Sequence, residues 1–160
     1  MENFLIYLLA FGYIGIFLAS LFGSATIFFP LPVSALIFGT GGVLNPFLVA
    51  IFSALGGTIG EFSAYFAGFG AQKVTKRFSK KKEKEIEKVK QFFLKYGGFW
   101  ATFIFAATPL PFDLIGLVAG MVSFDLKKFF IACFLGKLIA SLVLALTGHF
   151  GIQWILKFWV

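Results

Sequence analysis

The chain alternates long apolar runs with short polar breaks, and the runs are of two kinds. Phe4–Phe22, Phe47–Ala71 and Phe129–Gly148 are continuous and long enough to cross a bilayer as helices. Ser24–Leu44 and Gly98–Met121 are just as apolar but carry a proline pair in the middle, Pro30-Leu31-Pro32 and Pro109-Leu110-Pro111. An internal proline removes a backbone donor and clashes with the preceding turn, so neither run is one straight helix. Each arm beside a proline pair has roughly 6 to 12 residues, against the ~20 that a crossing needs. The pattern predicts two helical hairpins, formed at Pro30, Pro32, Pro109 and Pro111, that dip into the membrane and return to the side they came from. Broken backbone at that depth is tolerated only where it is buried in protein or lines a wet cavity. Two such breaks in corresponding places point to a transport site.

The polar residues gather in one place. Gln72–Tyr96 holds ten basic residues against Glu83, Glu85 and Glu87, which accounts for the whole net charge of +7. Positive loops stay cytoplasmic. Ile86, Val89, Phe93 and Tyr96 follow helical spacing in its second half. That half reads as an amphipathic helix, either lying on the cytoplasmic membrane surface or packed on the bundle as a solvated connector. Anionic lipid headgroups are the expected partner of this charge, and nucleic acid is not.

Shifting the sequence by 79 places Pro30, Leu31 and Pro32 on Pro109, Leu110 and Pro111. Gly41 falls on Gly120, Val43 on Val122 and Gly57 on Gly136. With the basic loop inside, the first hairpin enters from outside and the second from the cytoplasm, so the two halves have opposite orientation. Two full crossings in place of the hairpins would instead put the N-terminus outside. The expected architecture is an all-α integral membrane protein with an inverted repeat: one domain over 1–160, halves at 24–71 and 98–148, and a connector at 72–96.

Composition agrees with that solvent. Apolar residues make up 59% of the 160 and charged ones 13%, about half the soluble norm of ~25%. Mean hydropathy is +0.94. Twenty-five Phe and 18 Gly suit lipid-facing helices with closely packed backbones. Glu2, in place of a basic cluster, precedes the first run, which is read as an uncleaved transmembrane helix. Cys133 is the sole cysteine and excludes an intramolecular disulfide.

Four ionisable residues fall in the apolar segments or at their ends: Glu61, Asp113, Lys137 and His149. Charge at membrane depth costs several kcal/mol unless paired or hydrated, so each is a candidate for function. Glu61 lies 12 residues before Lys73 and Lys137 lies 10 after Lys127. Both are therefore expected ~15–18 Å from the cytoplasmic edge, where they can pair if their helices touch. Such a pair would serve either the transport path or helix register. Asp113, two residues past a proline pair, is expected at the hairpin tip, where the chain is not helical. His149 is expected at a helix end, as an interfacial residue.

These residues resemble a known family. Gly60-Glu61-x-x-x-Tyr65-x-x-Gly68, Pro30-x-Pro32, Phe92…Tyr96-Gly97 and Ala119-Gly120…Phe129 are similar to segments of the DedA, or VTT-domain, membrane proteins. Pro109-x-Pro111-Phe112-Asp113-Leu114-x-Gly116-x-x-x-Gly120, followed by Gly136-Lys137, resembles the eukaryotic vacuole membrane protein branch. The resemblance covers about Ser24 to Leu146. It implies a lipid transporter with two facing re-entrant hairpins, and it adds Tyr65 to the candidate path residues Glu61, Asp113 and Lys137. Many bacterial members carry an acidic residue after the first proline pair, where this chain has Ser34-Ala35. They also carry an Arg-Phe-x-Pro-x-x-Arg signature where this chain has Ala106-Ala107-Thr108-Pro109 and Phe112. The missing arginines speak against tight polyprenyl-phosphate binding, and the retained Asp113 and Lys137 favour the scramblase-like branch.

The expected activity is that of a phospholipid scramblase or flippase of the cell membrane. Its headgroups would pass through a groove between the hairpins, and membrane phospholipids would be its partners. The alternative is proton- or ion-coupled transport of a small solute or of polyprenyl-phosphate. An enzyme is not expected, because one Arg and one His supply no phosphate clamp with nucleophile and general acid. A non-transporting scaffold would tolerate loss of all three membrane charges. No metal or cofactor is implied, and the sequence specifies no oligomeric state.

Overall fold

The computed structural model describes residues 2–25, 33–71, 80–108 and 112–159, and every regular element in them is helical. The order is α1 (Glu2–Ala25), α2 (Val33–Val43), α3 (Pro46–Gly60), α4 (Phe62–Ala71), α5 (Lys80–Tyr96), α6 (Gly98–Ala107), α7 (Phe112–Met121) and α8 (Leu126–Trp159). Pro30, Pro32, Pro109 and Pro111, on which the sequence builds its hairpins, lie outside the described residues.

Around the second proline pair the chain behaves as proline chemistry requires. α6 stops at Ala107, and Thr108 is extended, with φ −116° and ψ 157°. The residue before a proline is driven out of the helical region in this way. α6 and α7 have ten residues each, about 15 Å of helix against a hydrocarbon core of ~30 Å.

Among the described residues, two helical runs are long and apolar enough to cross a membrane: Pro46–Ala71, with mean hydropathy 1.5, and Leu126–Gly151, with 2.4. Each starts on a side-chain cap. The Asn45 Oδ1 accepts the Phe47 and Leu48 N–H groups at 3.0 and 3.4 Å, and the Asp125 Oδ1 accepts the Lys128 N–H at 2.8 Å. Pro46 follows Asn45 at a position where a missing N–H is harmless. Large apolar side chains stay exposed along these helices, among them Phe47, Phe66, Ile139, Val143 and Phe150. Water penalises such exposure and lipid does not.

Several boundaries differ from those expected. Phe47–Ala71 is not one uniform helix: α-helical geometry loosens at Glu61, directly after Gly60. The expected division between the first spanning helix and the hairpin, at Phe22–Ser24, is absent. α1 runs through it to Ala25, because a single Gly23 without proline does not end a helix. α8 continues past Gly148 for 34 residues in all, so His149 stands inside a helix and not at its end. Asp113 is likewise helical, in the first turn of α7. Proline restricts the residue before it and can itself start a helix, so α7 begins right after Pro111.

The chain forms two compact units. The first comprises Met1–Gly60 and Lys137–Val160, the second Glu61–Gly136. In the first unit α1 and α3 pack along each other through small residues. A Cβ on Gly56 would run into the Phe17 carbonyl, and one on Gly60 into that of Leu21. α2 meets the C-terminal part of α8 just as closely: Gly41 abuts the Ala145 backbone and Gly148 the Phe38 carbonyl. Ile16, Ile37, Val49 and Ala145 form the apolar centre.

In the second unit α4 and α7 are the tightest pair. Gly68 lies on the Leu117 backbone and Gly120 on the Tyr65 carbonyl. The core there includes Tyr65, Ile115, Val118 and Phe129, joined by Val89 and Phe93 of α5. The Phe93 ring stands edge-on to Phe124 at 5.2 Å. Of the two sequence readings of the connector, packing on the bundle is the one this face adopts.

Candidate functional site

Within the first unit an otherwise apolar helix cluster holds a strip of polar side chains. Ser20 on α1, Ser53 on α3 and Ser141 on α8 are all buried. Ser20 Oγ and Ser53 Oγ are 2.9 Å apart, and the Ser141 hydroxyl donates to Ser53 Oγ at 3.4 Å. One turn away along α8, the half-buried Lys137 ammonium donates to Ser24 Oγ at 3.1 Å. Gly57 makes room for it: a Cβ there would lie 3.1 Å from Lys137 Cδ and 3.3 Å from Nζ. The hydroxyls come from α1, α3 and α8, so the strip fastens these helices, and its Ser24 gives the lysine a hydrogen-bond partner. An ammonium among hydroxyls can bind water or an anionic oxygen without becoming an isolated charge.

In the second unit, Glu61 begins the face of α4 that continues through Ala64, Tyr65 and Gly68, and it is 3% exposed. That face packs on α7. A Cβ on Gly116 would come 3.1 Å from Ala64 Cβ, and one on Gly120 would come 2.7 Å from the Phe69 nitrogen. Rising numbers thus meet rising numbers, and the two helices run parallel. Glu61 and Asp113 each stand one turn before the Ala64–Gly116 contact, so both carboxylates occupy the same end of the pair. The positive end of a helix dipole is a favourable place for such charge.

Tyr65 is buried on this face, and its hydroxyl donates to the Phe124 carbonyl at 2.5 Å. It thereby ties α4 to the turn between α7 and α8, a turn that also holds Ser123 at φ +52°. Phe129 packs against the same ring at 5.2 Å.

The sequence pairs Glu61 with Lys137 by depth. They fall in different units, and the residue that the second unit brings to the end occupied by Glu61 is Asp113. The serines escaped the sequence reading. Their only signal is a hydroxyl recurring in the apolar runs at positions 20, 24, 53 and 141.

Comparison with known proteins agrees with these features. The VTT domain profile matches residues 31–150. An uncharacterized protein of Methanocaldococcus jannaschii is 32% identical over 134 residues, covering 81% of this chain and 79% of the archaeal one. No solved structure matches the chain. A profile match over three quarters of the length, in a chain that carries the Gly60-Glu61 and Pro109–Gly120 segments, places the protein in a family: the chain belongs to the VTT-domain, or DedA, family of membrane proteins.

Proposed function

We propose that this protein is a lipid transporter that carries phospholipid headgroups across the membrane while their tails stay in the bilayer. One observation carries the reading: charged side chains are kept inside helices whose remaining residues suit lipid. Glu61 is buried within the apolar run Pro46–Ala71, and Lys137 sits among serines within Leu126–Gly151. An apolar residue at either position would cost less, so retention of charge favours a hydrated task. In this reading Glu61, Asp113 and Lys137 serve the headgroup, and Tyr65 sets α4 in place beside them. The membrane is the cell membrane, with the basic segment at its cytoplasmic face.

The proposal includes an inverted repeat with re-entrant hairpins. Its support is a shared glycine register. Gly41 meets Ala145 as Gly120 meets Tyr65, and Gly148 meets Phe38 as Gly68 meets Leu117. The partners in each comparison are 79 or 80 residues apart, as are the capping residues Asn45 and Asp125.

Purified protein in liposomes with fluorescent phospholipid tests the function. A membrane-impermeant quencher should bleach lipid beyond the outer-leaflet share, and the Lys137→Met protein should lose that excess. Bleaching confined to the outer leaflet would remove lipid exchange as the activity. The two carboxylates at one end of α4 and α7 favour a second reading, proton- or ion-coupled transport of a small solute or polyprenyl-phosphate. Transport that depends on an imposed pH gradient would select it.

A further inference from the structure

The second unit has a groove lined by none of the residues assigned above to transport. Phe62 of α4 and Leu126, Lys127, Phe130 and Ile131 of α8 line a cavity of about 390 Å³. That is toward the lower end of the ~300–1,000 Å³ typical of ligand pockets. The Phe62 and Phe130 rings stand 6.0 Å apart and tilted, and Phe130 stacks on Phe134 at 6.2 Å. Leu126 and Ile131 are 37% and 49% exposed, so the groove opens outward and does not lead into the core. Its lining is hydrocarbon and aromatic except for one cation, Lys127, in the first turn of α8.

We propose that this groove holds an anionic phospholipid of the surrounding bilayer as a resident ligand. One acyl chain lies against Phe62, Phe130 and Ile131, and the phosphate rests on Lys127. The groove's chemistry is that of the lipid itself: an apolar trough ending in one fixed positive charge. The placement fits as well. Lys127 stands at the start of the membrane-crossing run Leu126–Gly151, where chain and headgroup regions of a bilayer meet. A neutral solute would leave the ammonium unmatched, and a soluble anion would leave the trough empty. A second protein chain would bring no hydrocarbon tail with a phosphate at its end. Lys128 follows directly but does not line the groove, which gives an internal control. The inference does not depend on lipid movement, because the ligand here is retained.

The test uses the whole protein in vesicles of phosphatidylcholine with a small fraction of photoactivatable lipid carrying a diazirine in its acyl chain. One probe has a phosphatidylglycerol headgroup and the other a phosphatidylcholine headgroup on the same chains. Labelled residues are mapped by peptide mass spectrometry, and folding is verified by gel filtration. The anionic probe should label Phe62, Phe130 and Ile131 more than the zwitterionic one. Lys127→Gln should reduce that preference roughly fivefold, the effect of one lysine near an anionic surface. Lys128→Gln should leave it intact. Equal labelling by the two probes would reduce the groove to ordinary lipid-facing surface. An equal loss in both lysine variants would replace the site by diffuse attraction to the basic face. Either result overturns the proposal.

Discussion

The Lys137 ammonium lies 3.1 Å from the Ser24 hydroxyl, joining α8 to α1 at the level of Gly57. Interhelical hydrogen bonds in membranes contribute about 0.6 kcal/mol on average and at most about 1.7. Ser24→Ala should therefore lower stability by about that much in a denaturation series in detergent. Lys137→Met should leave the fold in place and remove lipid exchange. Full exchange by a well-folded Lys137→Met protein would relieve the lysine of any part in transport.

Asp113 occupies the first turn of α7. A carboxylate there gains about 0.3–1 kcal/mol from the helix dipole. Asp113→Asn keeps the shape and loses only charge. It should change the melting temperature by no more than a few degrees while cutting lipid exchange sharply. Unaltered exchange in liposomes would assign the aspartate to helix initiation alone.

The glycines separate into two groups with opposite outcomes. At Gly120 an added methyl collides with the Tyr65 carbonyl, so Gly120→Ala forces α4 and α7 apart at a cost of about 1–3 kcal/mol. At Gly39 nothing lies within 4 Å of the new methyl. Gly39→Ala should be neutral or stabilise by up to about 1 kcal/mol through helix propensity. Melting curves of the two variants should move in opposite directions, or only the first should move.

Tyr65→Phe removes one hydrogen bond and keeps the ring packing on Phe129. A loss of about 0.5–1.5 kcal/mol is expected. If the phenol only fastens the turn at Phe124, lipid exchange at a temperature well below melting should match that of the parent. A transport defect without a stability defect would place the hydroxyl in the path.

The topology has a direct chemical test. Cys133 is fully buried and should resist maleimide in the folded protein. In a Cys133→Ala background, a cysteine at Val43, which is 81% exposed, and one at Phe11, beside the Gly12–Leu44 contact, should both react from outside the cell. Reaction from opposite faces would exclude the re-entrant first hairpin.

Much of this was legible in the sequence, for reasons that can be assigned. Proline chemistry acts locally, so the end of α6 before Pro109 followed from the sequence alone, whereas the restart at Phe112, which puts Asp113 in a helix, did not. Helical spacing likewise announced the face at Val89 and Phe93, but not what it would pack against. Depth along a helix can be counted from residue numbers, whereas the direction a side chain faces depends on the neighbouring helix. That is why counting set Glu61 level with Lys137 but did not reveal that Glu61 and Asp113 share one end of α4 and α7. Gly148 misled for a similar reason. In isolation Gly148-His149 looks like the end of a helix, but in the fold Gly148 is where α8 admits the Phe38 backbone.

The first unit takes its last segment, Lys137–Val160, from a part of the chain translated only after the whole second unit. At about 5–20 residues per second, the 76 residues of Glu61–Gly136 take roughly 4–15 s to synthesise. Until that segment is made, Gly41 lacks Ala145 and Ser53 lacks Ser141. The nascent first unit must wait half-assembled, with its polar strip incomplete, until the final helix arrives. Biogenesis of this protein thus has a built-in interval in which chain order alone keeps the first unit incomplete.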